Sequence, residues 1–421
     1  GARGAPRGGG APPVLGGLCM ALHDEADTLL VDEARVPLVL AQAEGTAAES
    51  AFYRDALAIA RGLAAGEDYL PVGDGRRFEL TPRGRGRLAP WPVSSDQLLG
   101  HRAHRESAVE LALVAMHGLQ RDRDYVLRDG QVVLVDETTG RAARGRAWAA
   151  GLHQLLEWKE GVPASRRNRT VTQSTYQRFF PSYLRLGGAS GTLVEARAEL
   201  RSIYGLEVVV IPPRVPSQVQ TLRFRLLSDE AALWASVATE ARSLCEAGRS
   251  VLIGTETVAQ SEALSTVLAA RSLPHQVLNA RQDQQESRLI AAAGRAGSVT
   301  VATSMAGRGT DIHCDPDVLQ RGGLHVILCQ ANSSARIDRQ FMGRTGRQGQ
   351  PGTVRRMLAA DAALLRRWWP GWWLRLLARS DTPSRLLELT LSIAQRRQSF
   401  TNRNERVKLS QTTEYAEREL T

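Results

Sequence analysis

Asp24-Glu25-Ala26-Asp27 closes a short apolar run, Leu18-Cys19-Met20-Ala21-Leu22, and acids at the end of a strand-like segment suit phosphoryl-transfer chemistry. Asp24 is the residue to hold Mg2+, through bound water, and Glu25 the one to orient or deprotonate an attacking water. A chance acidic turn after a core strand would read the same, so a second signal is needed. Two later segments supply it. Residues 302–311 read Ala-Thr-Ser-Met-Ala-Gly-Arg-Gly-Thr-Asp after another apolar run, and residues 340–349 read Gln-Phe-Met-Gly-Arg-Thr-Gly-Arg-Gln-Gly. Glycines let backbone approach a nucleotide closely, and Arg344 and Arg347, three apart, read as one helical face with both guanidinium groups toward phosphate oxygens. A solvated basic turn would need neither the surrounding glycines nor the paired spacing. The candidate catalytic residues are therefore Asp24, Glu25, Arg344 and Arg347. The candidate nucleotide contacts are Asp24, Gly307, Arg308, Gly309, Asp311, Gln340, Gly343, Arg344 and Arg347.

The first apolar run reads as a buried parallel strand with its acids at the carboxyl end, the edge where open α/β sheets place their chemistry. After about Arg169, apolar strands at Glu207–Ile211, Ser250–Gly254, Val299–Thr303 and Leu324–Cys329 alternate with helix-length segments, which predicts a doubly wound parallel sheet. Residues 41–168 differ in texture, mixing helices with alternating strands. Within them, Asp129-Gly130 between two strand-like runs predicts a hairpin. From about Ser384 the pattern is helical and charged. Residues 1–17 are rich in Gly, Pro and Ala and read as a flexible or foreign leader.

A length of 421 residues with 43% hydrophobic content allows two to four domains, each with its own core. No stretch reaches the roughly 18–20 consecutive apolar residues of a membrane span, and the start carries no apolar run of signal-peptide length, so the expected compartment is the cytoplasm. Cys19, Cys245, Cys314 and Cys329 lie far apart without a CxxC pair, so neither a disulfide framework nor a zinc knuckle is suggested, and they read as buried small apolar residues. The net charge of +10 suits nucleic acid, anionic lipid or acidic partners but is spread along the chain, so it points to none of them. Only Lys159 and Lys408 are lysines, so nothing before Lys159 can supply an ammonium group. The Trp368-Trp369-Pro370-Gly371-Trp372-Trp373 cluster reads as core packing at a domain junction rather than a membrane anchor. His23, His153 and His325 read as structural, and the arginine-rich stretch 83–105 as a solvated face.

The three chemical segments are helicase-type motifs in the order that defines a two-lobed motor, with ATP held by two RecA-like lobes and arginine fingers on the second. In DEAD-type helicases a Ser-Ala-Thr motif follows the acids by a few tens of residues, whereas here Gly188-Ala189-Ser190-Gly191-Thr192 follows by 166 residues (190 − 24). A whole domain is inserted. That insertion resembles the SecA family of protein-translocation ATPases. Residues 24–38 are similar to the family's DEVDSILIDEARTPL, residues 124–141 to DYIVRDGEVVIVDEFTGR, and residues 151–162 to GLHQAIEAKEGV. Residues 203–212 and 305–312 match almost letter for letter.

The resemblance implies two RecA-like lobes, an inserted α+β preprotein cross-linking domain and the start of a helical scaffold. It places the first lobe at 18–40 and 169–213, the cross-linking domain at 41–168, the second lobe at 214–378 and the scaffold at 379–421. It further implies ATP and Mg2+ as cofactors, unfolded preproteins and the SecYEG channel as partners, an anionic membrane surface on the cytoplasmic side, and a homodimer as one assembly; the insert argues against nucleic acid as cargo. The family's GEGKT loop should precede the acids by more than a hundred residues, yet 23 residues precede Asp24. The expectation is a fragment of a longer protein that alone binds ATP weakly. Two rival readings are a nucleic-acid helicase of the same superfamily and a relative that binds polypeptide without hydrolysis. The family's HESRRIDNQ reads Asn332-Ser333-Ser334-Ala335-Arg336-Ile337-Asp338-Arg339-Gln340 here, and Ser304 replaces the usual Asn; both arginines remain.

Overall fold

The computed structural model describes residues 17–43, 47–72, 76–88, 91, 101–135, 148, 151–165, 168–278, 286–303, 310–379 and 382–418. Its strands, in chain order, are β1 Met20–Asp24, β2 Leu38–Ala43, β3 Tyr69–Val72, β4 Arg77–Leu80, β5 Tyr125–Arg128, β6 Gln131–Leu134, β7 Asn168–Ser174 and β8 Arg185–Ala189. There follow β9 Gln218–Thr221, β10 Arg225–Leu227, β11 Val251–Thr255, β12 Gln276–Leu278, β13 Val299–Thr303, β14 His325–Leu328 and β15 Pro351–Ala359. The chain forms two compact units. One holds the described residues up to Val39, Gln173–Pro212 and the helix from Thr401 on; the other holds Leu40–Thr172 and Pro213–Phe400. The crossings at Val39/Leu40 and Thr172/Gln173 fall inside β2 and β7, which pair with each other.

The larger unit is built on a seven-stranded parallel sheet in the order β10-β15-β14-β11-β13-β12, with β9 pairing the first half of β15. Val251-Leu252-Ile253 and Val299-Thr300-Val301 are buried on both faces, as expected of central parallel strands. One face packs Val251, Ile253, Val301 and Ile327 against Leu233, Trp234 and Val237 of helix Glu230–Glu246 and Leu264 and Leu268 of helix Val258–Ala270. The other packs Leu252, Ala302, Val326 and Leu328 against Ile290, Ile312 and Phe341. Both large helices start on side-chain caps: Asp229 accepts from the Ala232 amide at 2.8 Å, and Thr257 from the Gln260 amide at 3.1 Å. This is a doubly wound α/β sheet.

The segment from Ala47 to Lys159 in the same unit is α+β with its own core. Helices Ala47–Arg61, Arg102–Leu113 and Leu152–Lys159 bring Phe52, Leu57, Val109, Leu113 and Leu155 around Tyr125, below the hairpins β3–β4 and β5–β6. Asp129 and Gly130 both take positive φ, 51° and 73°, giving the tight turn expected between β5 and β6. Arg83 and Arg87 of the arginine-rich stretch pair with the buried Asp68 at 3.4 Å. Among the described residues no helix is long and apolar enough to cross a membrane.

Three sequence expectations are corrected. Residues 207–211 form no strand: Val209 and Ile211 are 81% and 86% exposed, and Pro212-Pro213 next in chain cannot donate to a ladder. β1 is parallel, pairing β8 in the register Asp24 with Ala189, but it is not buried; Met20 and Leu22 are 67% and 79% exposed because, among the described residues, β8 is its only neighbour. Of the cysteines only Cys329 is buried, and Cys19 is exposed. The tryptophan cluster does pack as a core: Trp368, Trp369 and Trp373 lie against Leu365, Leu374, Leu387 and Leu391, with Trp372 alone facing outward.

Candidate nucleotide site

In the smaller unit the acids stand where β1 ends. Asp24 is exposed and its Oδ1 accepts the Glu25 amide at 2.9 Å, while Glu25 takes a left-handed φ of 49° that turns the chain into the helical segment from Ala26. A non-glycine residue held in that region is strained, and such strain gathers at functional turns. Asp27 is fully buried, and Thr192 donates its hydroxyl to Asp27 Oδ2 at 2.6 Å. The last acid of the first motif is thus bonded to the threonine of Gly188-Ala189-Ser190-Gly191-Thr192, 165 residues away. Gly188 makes the approach feasible, since a Cβ there would lie 2.6 Å from the His23 carbonyl oxygen and 2.7 Å from Ala26 Cβ. His23 itself sets its ring edge-on to Phe180 at 5.0 Å, a packing role.

Behind this turn, Tyr176 donates to Glu33 at 3.1 Å, Gln177 to the Ala34 carbonyl at 2.8 Å and Tyr204 to the Leu30 carbonyl at 2.9 Å. Burial pushes the Tyr204 phenol well above its ordinary range, so it stays a neutral donor. Arg406 closes the unit with a bidentate pair to Glu199 at 2.6 and 2.7 Å. Among the described residues no group of three or more His, Cys, Asp or Glu could hold a metal. One exposed carboxylate suits an ion that keeps several waters and takes its other ligands from phosphates, as Mg2+ does.

In the larger unit the chemical residues follow the carboxyl ends of β13 and β14. Gly307, Arg308, Gly309 and Ser304 lie outside the described residues. Asp311 is described, and its Oδ1 receives Nη1 of Arg347 at 2.9 Å and the Ile312 amide at 3.0 Å. The two separate motifs thus meet in an ion pair, and Arg347 also donates Nε to the Gly343 carbonyl at 3.3 Å. Gln340 is half-buried on helix Ala335–Met342.

Arg344 and Arg347 do not share a helical face. That helix stops at Met342 with Gly343 as its cap, Gly346 takes φ 68° and Gln348 φ 56°, and Arg347 begins a short 3-10 turn. Arg344 is buried with its guanidinium 5.6 Å from the Phe341 ring centre, whereas Arg347 is half-exposed. Glycines at 343 and 346 break the helical period that would have aligned the two arginines. Gly346 also lies where a Cβ would run into Val219.

Asp338 was missed by sequence reasoning. It is fully buried on the same helix, with Oδ1 accepting from Asn332 at 2.8 Å and Oδ2 from Gln395 at 2.9 Å and Arg356 at 3.4 Å. Burial pushes its carboxyl up to about 6, against the pull of Arg356 and the two amides. His325, at the other end of β14, is buried between Thr353 and Glu240, and burial holds its imidazole below the ordinary range. In the insert, Tyr125 is fully buried, donating to Glu160 at 2.6 Å, which removes it from any surface that could meet a substrate.

The profile of the SecA P-loop domain matches residues 224–321 and 313–383, and that of the SecA preprotein cross-linking domain matches residues 48–157. Protein translocase subunit SecA 3 of Magnetococcus marinus is 42% identical over 363 residues, covering 86% of this chain and 55% of that protein. Protein translocase subunit SecA 2 of Bordetella avium is 44% identical over 361 residues, covering 83% of this chain and 53% of that protein. The chain spans about half the length of the curated relatives it matches. The solved structure of S. cerevisiae Dbp5 bound to RNA and ADP BeF3 shares 16% identity, 58% of this chain and 59% of its own, at a TM-score of 0.33, a likeness that carries no argument. With two domain profiles in sequence order and this identity over most of its length, the chain belongs to the SecA family.

Proposed function

We propose that the complete protein couples ATP binding and hydrolysis to the passage of unfolded preproteins across the cell membrane through the SecYEG channel. The observation that carries this reading is the Asp27–Thr192 bond, because it joins the two ends of one motor lobe around an insert with its own core that matches the preprotein cross-linking domain. On this reading the lobes are 18–40 with 169–213 and 214–378, the insert is 41–168, and 379–421 begins the scaffold. Mg2+-ATP supplies the electrophilic phosphoryl group and the charge that screens it. Asp24 would hold the ion through water, Glu25 would orient the attacking water, and Arg347, half-exposed on Asp311, would turn to the phosphoryl oxygens. Arg344 braces that turn through Phe341. Gly307, Arg308, Gly309, Gln340 and Gly343 line the nucleotide. The protein works on the cytoplasmic side, bound peripherally to an anionic membrane and able to pair as a homodimer.

The test uses the complete protein with ATP, Mg2+ and either an unfolded secretory precursor or single-stranded RNA. Precursor should raise turnover, and a photo-crosslinker at Leu70, exposed on β3, should label it. Stimulation by RNA, with no polypeptide adduct, would replace the translocase by a helicase; a polypeptide adduct without turnover would leave a non-hydrolysing binder.

A further inference from the structure

Within the larger unit, the first half of the long helix Ser384–Arg418 packs through two stripes. Leu387, Leu391 and Ala394 form the apolar one, at spacings of four and three, and are buried in one cluster with Leu358 and Leu374. Beside it run Glu388, Gln395 and Ser399, at spacings of seven and four, and every one of them is engaged. Glu388 accepts Nη1 of Arg356 at 2.6 Å, Gln395 donates Nε2 to Asp338 at 2.9 Å and to the Asn332 carbonyl at 3.1 Å, and Ser399 donates to the Ser333 carbonyl at 3.2 Å. A buried acid is a costly way to hold a helix, since apolar residues of similar volume would do so without desolvating a charge. What a satisfied polar contact adds is a defined register, made or broken as a unit.

We propose that Asp338 is a positioning residue, which through Gln395 and Asn332 lets the long helix set the place of the Arg344–Arg347 turn. This rests on the reading of that turn as the arginine finger. The connection is short: Asp338 lies on helix Ala335–Met342, whose Phe341 carries the Arg344 guanidinium, and whose capping residue Gly343 accepts from Arg347. A slide of the long helix that breaks Gln395 from Asp338 strands a fully buried carboxylate with Asn332 and Arg356 alone. The short helix must then shift, and Arg344 and Arg347 shift with it. The charged groups around Asp338 are Arg356 of β15 and, through it, Glu388 of the long helix.

The experiment measures ATP turnover by the complete protein, with hydrogen exchange of the amides 343–349 as a second readout. Gln395→Leu should lower kcat about tenfold with KM little changed, the loss expected when a buried charge loses one donor, and should speed exchange across 343–349. Leu391→Ala controls for docking alone: it loosens the same helix without touching the polar stripe. Equal loss of turnover in Leu391→Ala and Gln395→Leu at equal loss of melting temperature, or unchanged exchange across 343–349 in Gln395→Leu, overturns the relay. If Arg347→Ala itself leaves turnover intact, the arginine-finger reading fails first; if it abolishes turnover while Gln395→Leu does nothing, only the relay fails.

Discussion

Replacing Arg406 with methionine should destabilise the smaller unit far more than any surface charge change, because it strands Glu199. Nε and Nη2 of Arg406 donate to the two carboxylate oxygens at 2.6 and 2.7 Å, and both side chains are less than a tenth exposed. Two parallel charge-assisted bonds fix the geometry as well as the charge. Losing the guanidinium leaves a buried carboxylate without its cation, which costs about 3–5 kcal/mol. Glu199→Gln should cost a similar amount, because it strands the Arg406 guanidinium instead. The double variant buries no uncompensated charge, so its loss should fall short of the sum of the two single losses by about 2 kcal/mol or more. Urea unfolding of the full chain gives the losses. Hydrogen exchange in helix Arg197–Tyr204 localises them, which matters because two compact units need not unfold in one step. Strictly additive losses, or a loss below about 1 kcal/mol for Arg406→Met, would place the pair with ordinary surface ion pairs and refute the argument.

Arg347→Ala in the complete protein should slow ATP turnover about 10³-fold with little change in nucleotide affinity; an equal loss in both would show that Arg347 holds the ground state. Asp338, with its carboxyl raised from 3.8 to about 6, retains its proton in the native state where the unfolded chain has released it. Stability therefore falls as pH rises from about 4 to 6 and flattens above, by about 3 kcal/mol at most, and Asp338→Asn should remove that component; equal pH slopes for wild type and variant in denaturant titrations at pH 4.5, 5.5 and 6.5 would refute it. Gly346→Ala should destabilise the arginine turn by about 1–3 kcal/mol, since it combines a φ of 68° with a methyl group driven into Val219, and calorimetry should show it even before turnover is assayed.

What the sequence revealed and what it hid divide along the range of the interactions. The central strands were legible to within a residue because continuous runs such as Val251-Leu252-Ile253 have no other comfortable setting than a sheet buried on both faces. The same logic failed at Val208-Val209-Val210-Ile211, where high strand propensity meets no partner among the described residues, and propensity without a ladder does not make a strand. The arginine pair was misplaced as geometry, because a helical period was carried across Gly343 and Gly346 when those glycines signal the end of the helix. Asp338 could not be singled out from the sequence because its partners are Gln395, 57 residues on, and Arg356 on a neighbouring strand. Asp27 likewise gains its meaning only from Thr192.

That last contact shows how two distant segments can be joined across a folded insert at little cost. Closing a flexible loop grows dearer only with the logarithm of its length. Stretching the connection between Asp27 and Thr192 from about 20 residues to 165 adds about 2 kcal/mol even if the insert were featureless. A hydrogen bond to a buried carboxylate contributes a comparable amount, so the contact alone could nearly offset the longer loop. The insert, moreover, is not featureless. Its chain leaves in β2 and returns in β7, which are paired, and between them it folds around a core of its own built on Tyr125, Leu113 and Leu155. Once that core has formed, the effective loop to be closed is the short one from the end of the ladder to Asp27 and Thr192. The acid turn therefore depends on the insert for its connection and not for its geometry.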